Sequence, residues 1–351
     1  MGGVVLLFTK AEIDCLKIGA VCKDLPPDIW TPVAQTLLGL KLLRQNRQKT
    51  SYRLTPAGYK LMDRIGFGYV HDKTYRCDSA IIRRRIQTAE LMLFLDKLGV
   101  NVFMESPADR NDELSFLPSA VLRQNAASNV LGNTKLYGFL YAPEAVFILY
   151  RIAQSDTGLY AQNEERIFHV NSLLCGKTPH VLYTGQSSLE GLIRSLWQQK
   201  AKNQKVHTDS FLSAMKRFSC PVCFVPLSED GLRQLRIMTV SGYREKLCRY
   251  LLGSQYRQPE NQWHDAVHSK SGERYQIGID FNFKDFDKGL PKHLIVLEFQ
   301  KEPAQRLLLG KDIILHTIQT EEAEQIFELP GKLPNLSAEP YRTKEGGYLT
   351  V

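Results

Sequence analysis

The sequence predicts a mixed α/β (α+β) chain, in which a small helical segment with one short hairpin precedes a larger domain built on a mixed sheet. Three observations predict this. Apolar residues recur at helical spacing through the first hundred positions, interrupted by one polar turn between two short β-type runs. From about residue 100 to 330, short apolar runs alternate with amphipathic stretches, as in an α/β domain. At 351 residues and 43% hydrophobic content, the chain is long enough for one large or two medium domains. The expected division is 1–75, a connecting helix over 76–100, an α/β domain over 101–330, and an extended tail over 331–351.

In the first segment, Thr9 is placed to cap a helix beginning at Lys10, with Ile13, Leu16 and Ala20 on its inner face. "DLPPD" ends that helix. Thr31 and Pro32 open a second, where Val33, Leu37 and Leu40 point inward and Gln35, Thr36 and Gly39 point elsewhere. "KLLRQNRQKTSYRLT" then reads as strand, polar tip and strand, and "PAGYKLMDRIG" as a closing helix. Next comes a long helix near 78–98, with Ile82, Ile86, Ala89, Met92 and Leu93 as its core face.

Within the larger domain, "NVFME", the aromatic-rich "TKLYGFLYAPEAVFILYRI", "PHVLYTG", "CPVCFVPL", "RYQIGIDFNF", "KHLIVLEFQ" and "DIILHTI" read as strands. "SSLEGLIRSLWQQKA", "SEDGLRQLRIM", "GYREKLCRYLL" and "EPAQRLLLG" read as helices, the first capped by Ser187. The Pro- and Gly-rich tail is expected to form little structure of its own. No internal repeat is visible in the sequence.

Charge is unevenly spread. Residues 1–100 hold sixteen Lys and Arg against nine Asp and Glu, an excess of seven in a chain whose net charge is +8. Six of these cations (Lys41, Arg44, Arg47, Lys49, Arg53 and Lys60) cluster on and around the hairpin, and no acid lies between Asp28 and Asp63. A localised excess of this kind suits a polyanion.

Helix, helix, basic hairpin, helix resembles the winged-helix DNA-binding domain, and "YRLTPAGYKLM" is similar to the second wing strand and following helix of many bacterial regulators. The resemblance covers about 60 of the 351 residues. It departs where the usual second helix is compressed into "LPPDIW". It implies that the hairpin contacts the sugar–phosphate backbone or minor groove and that the 31–40 helix lies in the major groove. Thr31, Gln35 and Thr36 would then read bases, with Gln able to bridge adenine N6 and N7. Such proteins often dimerise through a following helix, so a homodimer through 78–98 is an expectation. The overall layout also resembles the replication-relaxation proteins of Gram-positive plasmids and conjugative elements. That resemblance implies a DNA-binding accessory for replication or transfer of a mobile element, with a protein partner on the α/β domain.

An enzymatic alternative comes from "IGIDF" and "VLEFQK". Asp280 and Glu298 close two apolar strands, with Gln300 two residues beyond Glu298 and Lys301 next. This pattern resembles the restriction-endonuclease-like core, in active or degenerate form. It would make Asp280, Glu298 and Gln300 catalytic candidates, with Mg²⁺ held by the two carboxylates. The pattern departs from the family in having Gln300 where a Lys is usual. A third alternative is a transcription regulator whose α/β domain senses a ligand.

Other motifs point to structure. Cys220 and Cys223 form a CxxC inside an apolar strand, away from the helix N-terminus a redox pair uses; as zinc ligands they would need Cys248 or His207 as partners. His264 and His268 have the spacing of a helical metal pair but sit in a polar stretch. The turn at Gly185, Ser187 and Ser188 lacks the phosphate-loop spacing. Seven scattered cysteines imply reduced thiols. With no apolar run long enough to span a bilayer and no leader-like N-terminus, the expectation is a cytoplasmic protein needing no membrane and no cofactor unless it is a nuclease.

Overall fold

The computed structural model describes residues 7–28, 31–69, 78–107, 114–124, 131–132, 134–152, 167–197, 215, 218–283, 286–331, 333, 339–343 and 347–349. The chain has mixed α/β structure and divides into two compact units. The first comprises Met1–Val102, Pro118–Asn129 and Leu333–Val351, and the second Phe103–Leu117 and Val130–Lys332. Among the described residues no helix is long and apolar enough to cross a membrane.

In the first unit, helix α1 (Lys10–Cys22) opens on a reciprocal capping box, in which the Thr9 hydroxyl accepts from the Glu12 N–H and the Glu12 carboxylate accepts from the Thr9 N–H. Helix α2 (Thr31–Gly39) buries Val33, Ala34 and Leu37. Strands β1 (Leu43–Gln45) and β2 (Tyr52–Leu54) form an antiparallel hairpin. In place of a second helix between α1 and α2, Leu25 exchanges both backbone hydrogen bonds with Tyr52, at 2.9 and 3.1 Å, and so adds a one-residue third strand to the hairpin.

Helix α3 (Pro56–Arg64) explains the phrase Leu-Thr-Pro-Ala-Gly. Thr55 caps it by accepting from the Gly58 N–H, and its own hydroxyl donates to the Lys41 carbonyl at 2.7 Å. Pro56 fills the first turn, where a missing N–H leaves nothing unsatisfied. Gly58 is obligatory because a Cβ there would stand 2.5 Å from the Leu42 carbonyl oxygen. Helix and hairpin are thereby clamped backbone to backbone.

Helix α4 (Ser79–Asp96) is capped by Asp78 and packs on α1. From Gln87 to Asp96 it lies almost wholly in the unit's own core, with Ala89, Met92 and Leu95 fully buried; Ile82 and Ile86 are half-buried. A dimer built along the whole of 78–98 would have to displace this packing, so at most the first two turns are open to a second copy. Helix α5 (Ser119–Gln124) joins the same unit. Described residues of the tail pair with the start of the chain: the Phe8 N–H donates to the Leu349 carbonyl, the Tyr341 N–H to the Phe8 carbonyl, and the Lys10 N–H to the Glu339 carbonyl. The composition of this stretch does not reveal these pairings.

Two buried acids meet between α1 and α4. Lys10 lies 3.0 Å from Asp14 and 3.9 Å from Asp96, and Lys17 lies 3.4 Å from Asp14. Burial first, and the Asp14 charge second, push Asp96 up to about 7, against the pull of Lys10 and Lys17. A carboxyl raised above its ordinary 3.8 holds a proton that the unfolded chain has lost. Its contribution is therefore complete below about pH 4 and is lost as the pH climbs to about 7. Asp96→Asn is expected to remove on the order of 3 kcal/mol of that decline. Denaturant melts at pH 4.5 and pH 7.5 check this; an unchanged pH slope in the variant counts against it.

Among the described residues, the second unit holds two five-stranded sheets. The first runs β3 (Ser115–Pro118), β4 (Gly138–Tyr141), β5 (Ala145–Arg151), β6 (Thr178–Thr184) and β7 (Val222–Phe224), in that spatial order. The second runs β8 (Tyr256–Arg257), β9 (Ala266–His268), β10 (Arg274–Ile277), β11 (His293–Leu297) and β12 (Ile314–Ile318), again in sequence order. In each, the third strand is antiparallel to the second, and the last three strands are parallel. The parallel steps cross over through Asn171–Leu174 and Leu189–Trp197 in the first sheet, and through Phe286–Gly289 and Lys301–Leu307 in the second. The same layout is used twice, although the sequence shows no repeat.

Several elements differ from the sequence expectation. "NVFME" buries Val102 and Met104 but forms no strand. Ser188, not Ser187, caps the helix that starts at Leu189, accepting from the Gly191 N–H at 3.1 Å. β10 and β11 are parallel, and a short helix, Phe286–Gly289, lies between them where the sequence reads only as a polar turn. His264 lies in a loop and His268 in β9, so they do not share a helix face. His207 lies outside the described residues.

Candidate nucleic-acid interface

The hairpin is a built finger. Its tip is organised by Asn46, whose side-chain oxygen accepts from the Thr50 and Ser51 N–H groups at 2.7 and 3.3 Å and whose amide donates to the Thr50 hydroxyl at 2.8 Å. The Asn46 N–H donates to the Ser51 carbonyl, and the Lys49 N–H to the Asn46 carbonyl. A short polar side chain that satisfies the turn from within suits this position.

From this frame Lys41, Arg44, Arg47, Lys49 and Lys60 project exposed. Among the described residues none of the five makes an ion pair. Arg53 differs: its Nε donates to Asp24 at 2.8 Å. Asp24 is fully buried, also accepts from the Ser51 hydroxyl at 3.0 Å, and lies 3.7 Å from Arg85.

Arg44 and Arg53 are direct cross-strand partners. Like charges in that relation repel unless something neutralises them. Asp24 lies against Arg53 and Arg85 and supplies negative charge beside this pair. The half-buried Tyr59 senses all of them: burial raises its hydroxyl and Asp24 adds to that, while Arg44, Arg85 and Arg53 pull it down. The exposed cations of the finger are Lys41, Arg44, Arg47, Lys49 and Lys60, which make no ion pair among the described residues. On α2, Gln35 and Thr36 are exposed, with the Thr36 hydroxyl donating to the Pro32 carbonyl at 3.2 Å. The helix begins at Thr31, whose side chain lies outside the described residues.

Sequence reasoning missed Asp24, Arg85 and Tyr59. One signal was available: Asp24 and Asp28 are the last acids before a long acid-free stretch, and an acid at the edge of a basic cluster is a natural internal counter-ion.

The nuclease candidates are placed otherwise than expected. Asp280 is 2% exposed, and Arg244 donates to its Oδ2 at 2.5 Å. The same guanidinium donates to Asp265 at 3.0 Å and to the Ile277 carbonyl at 2.9 Å. Burial works against the Arg244 charge, but Asp265 and Asp280 outweigh it and hold its pKa above the ordinary value. β11 ends at Leu297, so Glu298 opens a tight turn over 298–300 instead of closing a strand, and its carboxylate lies 3.7 Å from Lys301.

Gln300 is fully buried and structural. Its oxygen accepts from the Leu297 N–H at 2.9 Å, and its amide donates to the Ile279 carbonyl at 2.7 Å. The alternation that would put Glu298 and Gln300 on one strand face therefore does not operate. Gln234, also fully buried, donates to the same Ile279 carbonyl at 2.7 Å and to the Phe224 carbonyl at 2.8 Å, while the Phe224 N–H donates to the Asp280 carbonyl.

A cleft of about 250 Å³ beside Asp280 is lined by Glu144, Thr178, His180, Ser241, Tyr243 and Arg244. Burial, with the Arg244 charge adding, pushes His180 down to about 4 against the pull of Asp280, so the imidazole is neutral at pH 7. Cys223 lies 3.9 Å from both His180 and Asp280, and burial, reinforced by Asp280, holds its thiol well above the usual range. With Cys220 also buried, the CxxC pair is packed interior. Among the described residues no group of three or more His, Cys, Asp or Glu is arranged to hold a metal ion. No protein-family model, curated protein or solved structure matches the chain.

Proposed function

We propose that this chain is a double-stranded DNA-binding protein with a winged-helix N-terminal unit, whose basic hairpin grips the sugar–phosphate backbone. The observation that carries the reading is the finger itself: around a turn fixed by Asn46, Lys41, Arg44, Arg47, Lys49 and Lys60 are exposed and make no ion pair among the described residues. Exposed cations gathered on one finger suit an external polyanion. Helix α2 would then lie in the major groove, offering Gln35 and Thr36, with Thr31 at its entry, to base edges. By resemblance of layout, the biological setting is replication or transfer of a bacterial mobile element, with the α/β unit as the platform for a protein partner.

The test is a titration of random-sequence duplex DNA at increasing salt. Five phosphate contacts give a slope of log K against log salt of about −4.5. A flat response, or no binding at low salt, contradicts the reading.

A further inference from the structure

We infer that Asp24 is the positioning residue of the finger: it retains Arg53 and draws in Arg85, so that Arg53 orients the hairpin and phosphate contact falls to Lys41, Arg44, Arg47, Lys49 and Lys60. This rests on the DNA-binding reading above and assigns roles within it.

Asp24 is held in place from both sides. Before it, Lys23 ends α1 in the left-handed conformation (φ 68°), with its N–H donating to the Gly19 carbonyl at 2.8 Å. After it, Leu25 pairs through its backbone with Tyr52. The carboxylate therefore has little freedom to follow a moving hairpin. Ser51 and Arg53, two residues apart along the extended chain, both reach it, and this fixes which face of the finger turns inward. Arg85 approaches from α4 at 3.7 Å, tying the finger to the helix packed on α1.

Arg53 commits its Nε to Asp24, whose carboxylate offsets its charge, so a phosphate gains less from Arg53 than from Arg44. Taking Arg53 away would remove the closest cation from a fully buried carboxylate, which costs stability. Arg44, its cross-strand partner, has no such commitment and is exposed. Two arginines in one rung of the hairpin thus have different tasks, decided by a residue 29 positions before Arg53 in the chain.

The experiment compares full-length wild type with Arg44→Gln, Arg53→Gln and Asp24→Asn, measuring affinity for a random-sequence duplex across a salt series. Arg44→Gln is expected to flatten the slope by about 0.9, the loss of one phosphate contact. Arg53→Gln is expected to weaken binding while leaving the slope at the wild-type value. Asp24→Asn is expected to steepen the slope by about 0.9, because the carboxylate that offset the Arg53 charge is gone. If Asp24→Asn does not fold, as judged by circular dichroism, the Arg44 and Arg53 pair decides alone. A slope flattened equally by Arg53→Gln and Arg44→Gln overturns the inference and leaves the DNA-binding reading standing. Absence of duplex binding by wild type overturns both.

Discussion

Replacing Arg44, Arg47 and Lys49 together by glutamine is expected to lower affinity for duplex DNA by about 10²–10³-fold near 0.1 M salt and to flatten the salt slope from about −4.5 to about −1.8. The size follows from counterion release, since each phosphate contact removed returns about 0.9 to the slope. Stability is expected to hold. All three side chains are exposed, the turn is held by Asn46, and the hairpin is anchored by Leu25, Asp24 and the Thr55 clamp. Glutamine keeps the long polar stem at Lys49, whose φ of 56° already departs from common backbone. Removing a repulsive neighbour of Arg53 should even relieve the free protein slightly. Anisotropy titrations at three salt concentrations, alongside a thermal melt, separate a lost interface from a lost fold. Unchanged affinity and slope would place the DNA contact elsewhere or exclude it.

Arg244→Ala is expected to destabilise the second unit by about 3–5 kcal/mol, the usual result of leaving buried acids without their cation. Two carboxylates lose their partner at once: Asp280, 2% exposed, and Asp265, which also accepts from the Ile277 N–H at 2.7 Å. A unit of this size should melt on the order of 10 °C lower. Duplex affinity of the folded variant at low temperature should be unaffected, because the finger belongs to the other unit. The same measurement bears on the nuclease alternative. If Asp280 is a structural partner of Arg244, Asp280→Asn lowers the melting temperature. A metal ligand would instead show Mg²⁺-dependent nicking that the variant loses while its stability holds.

What the sequence disclosed was local. Thr9 and Thr55 cap helices through neighbours three residues away, Pro56 fits a first turn on sight, and β1 and β2 flank a turn of six residues. Interactions across such spans leave their mark in adjacent letters. What stayed hidden depends on residues far apart. Arg53 meets Asp24 across 29 positions and Arg244 meets Asp280 across 36. Nothing near Arg53 marks it as different from Arg44. Likewise, "VLEFQ" has the alternation of a strand, yet Gln300 satisfies more by turning back onto the Leu297 N–H and across to the Ile279 carbonyl. The doubled sheet layout was invisible because strand order and direction can be kept by unrelated residues and loops of different length.

One oxygen atom sits at the centre of that doubled layout. The Ile279 carbonyl receives both Gln234, which also holds the last strand of the first sheet, and Gln300, which closes the turn after β11. The two sheets are riveted through this acceptor and cannot be cut apart as cassettes. A fragment ending after β7 would keep the Phe224 carbonyl but forfeit the amide that caps it, and a fragment starting after β7 would keep Gln234 but lose the Phe224 carbonyl it binds. Shared topology here means shared fate: neither half is a spare part.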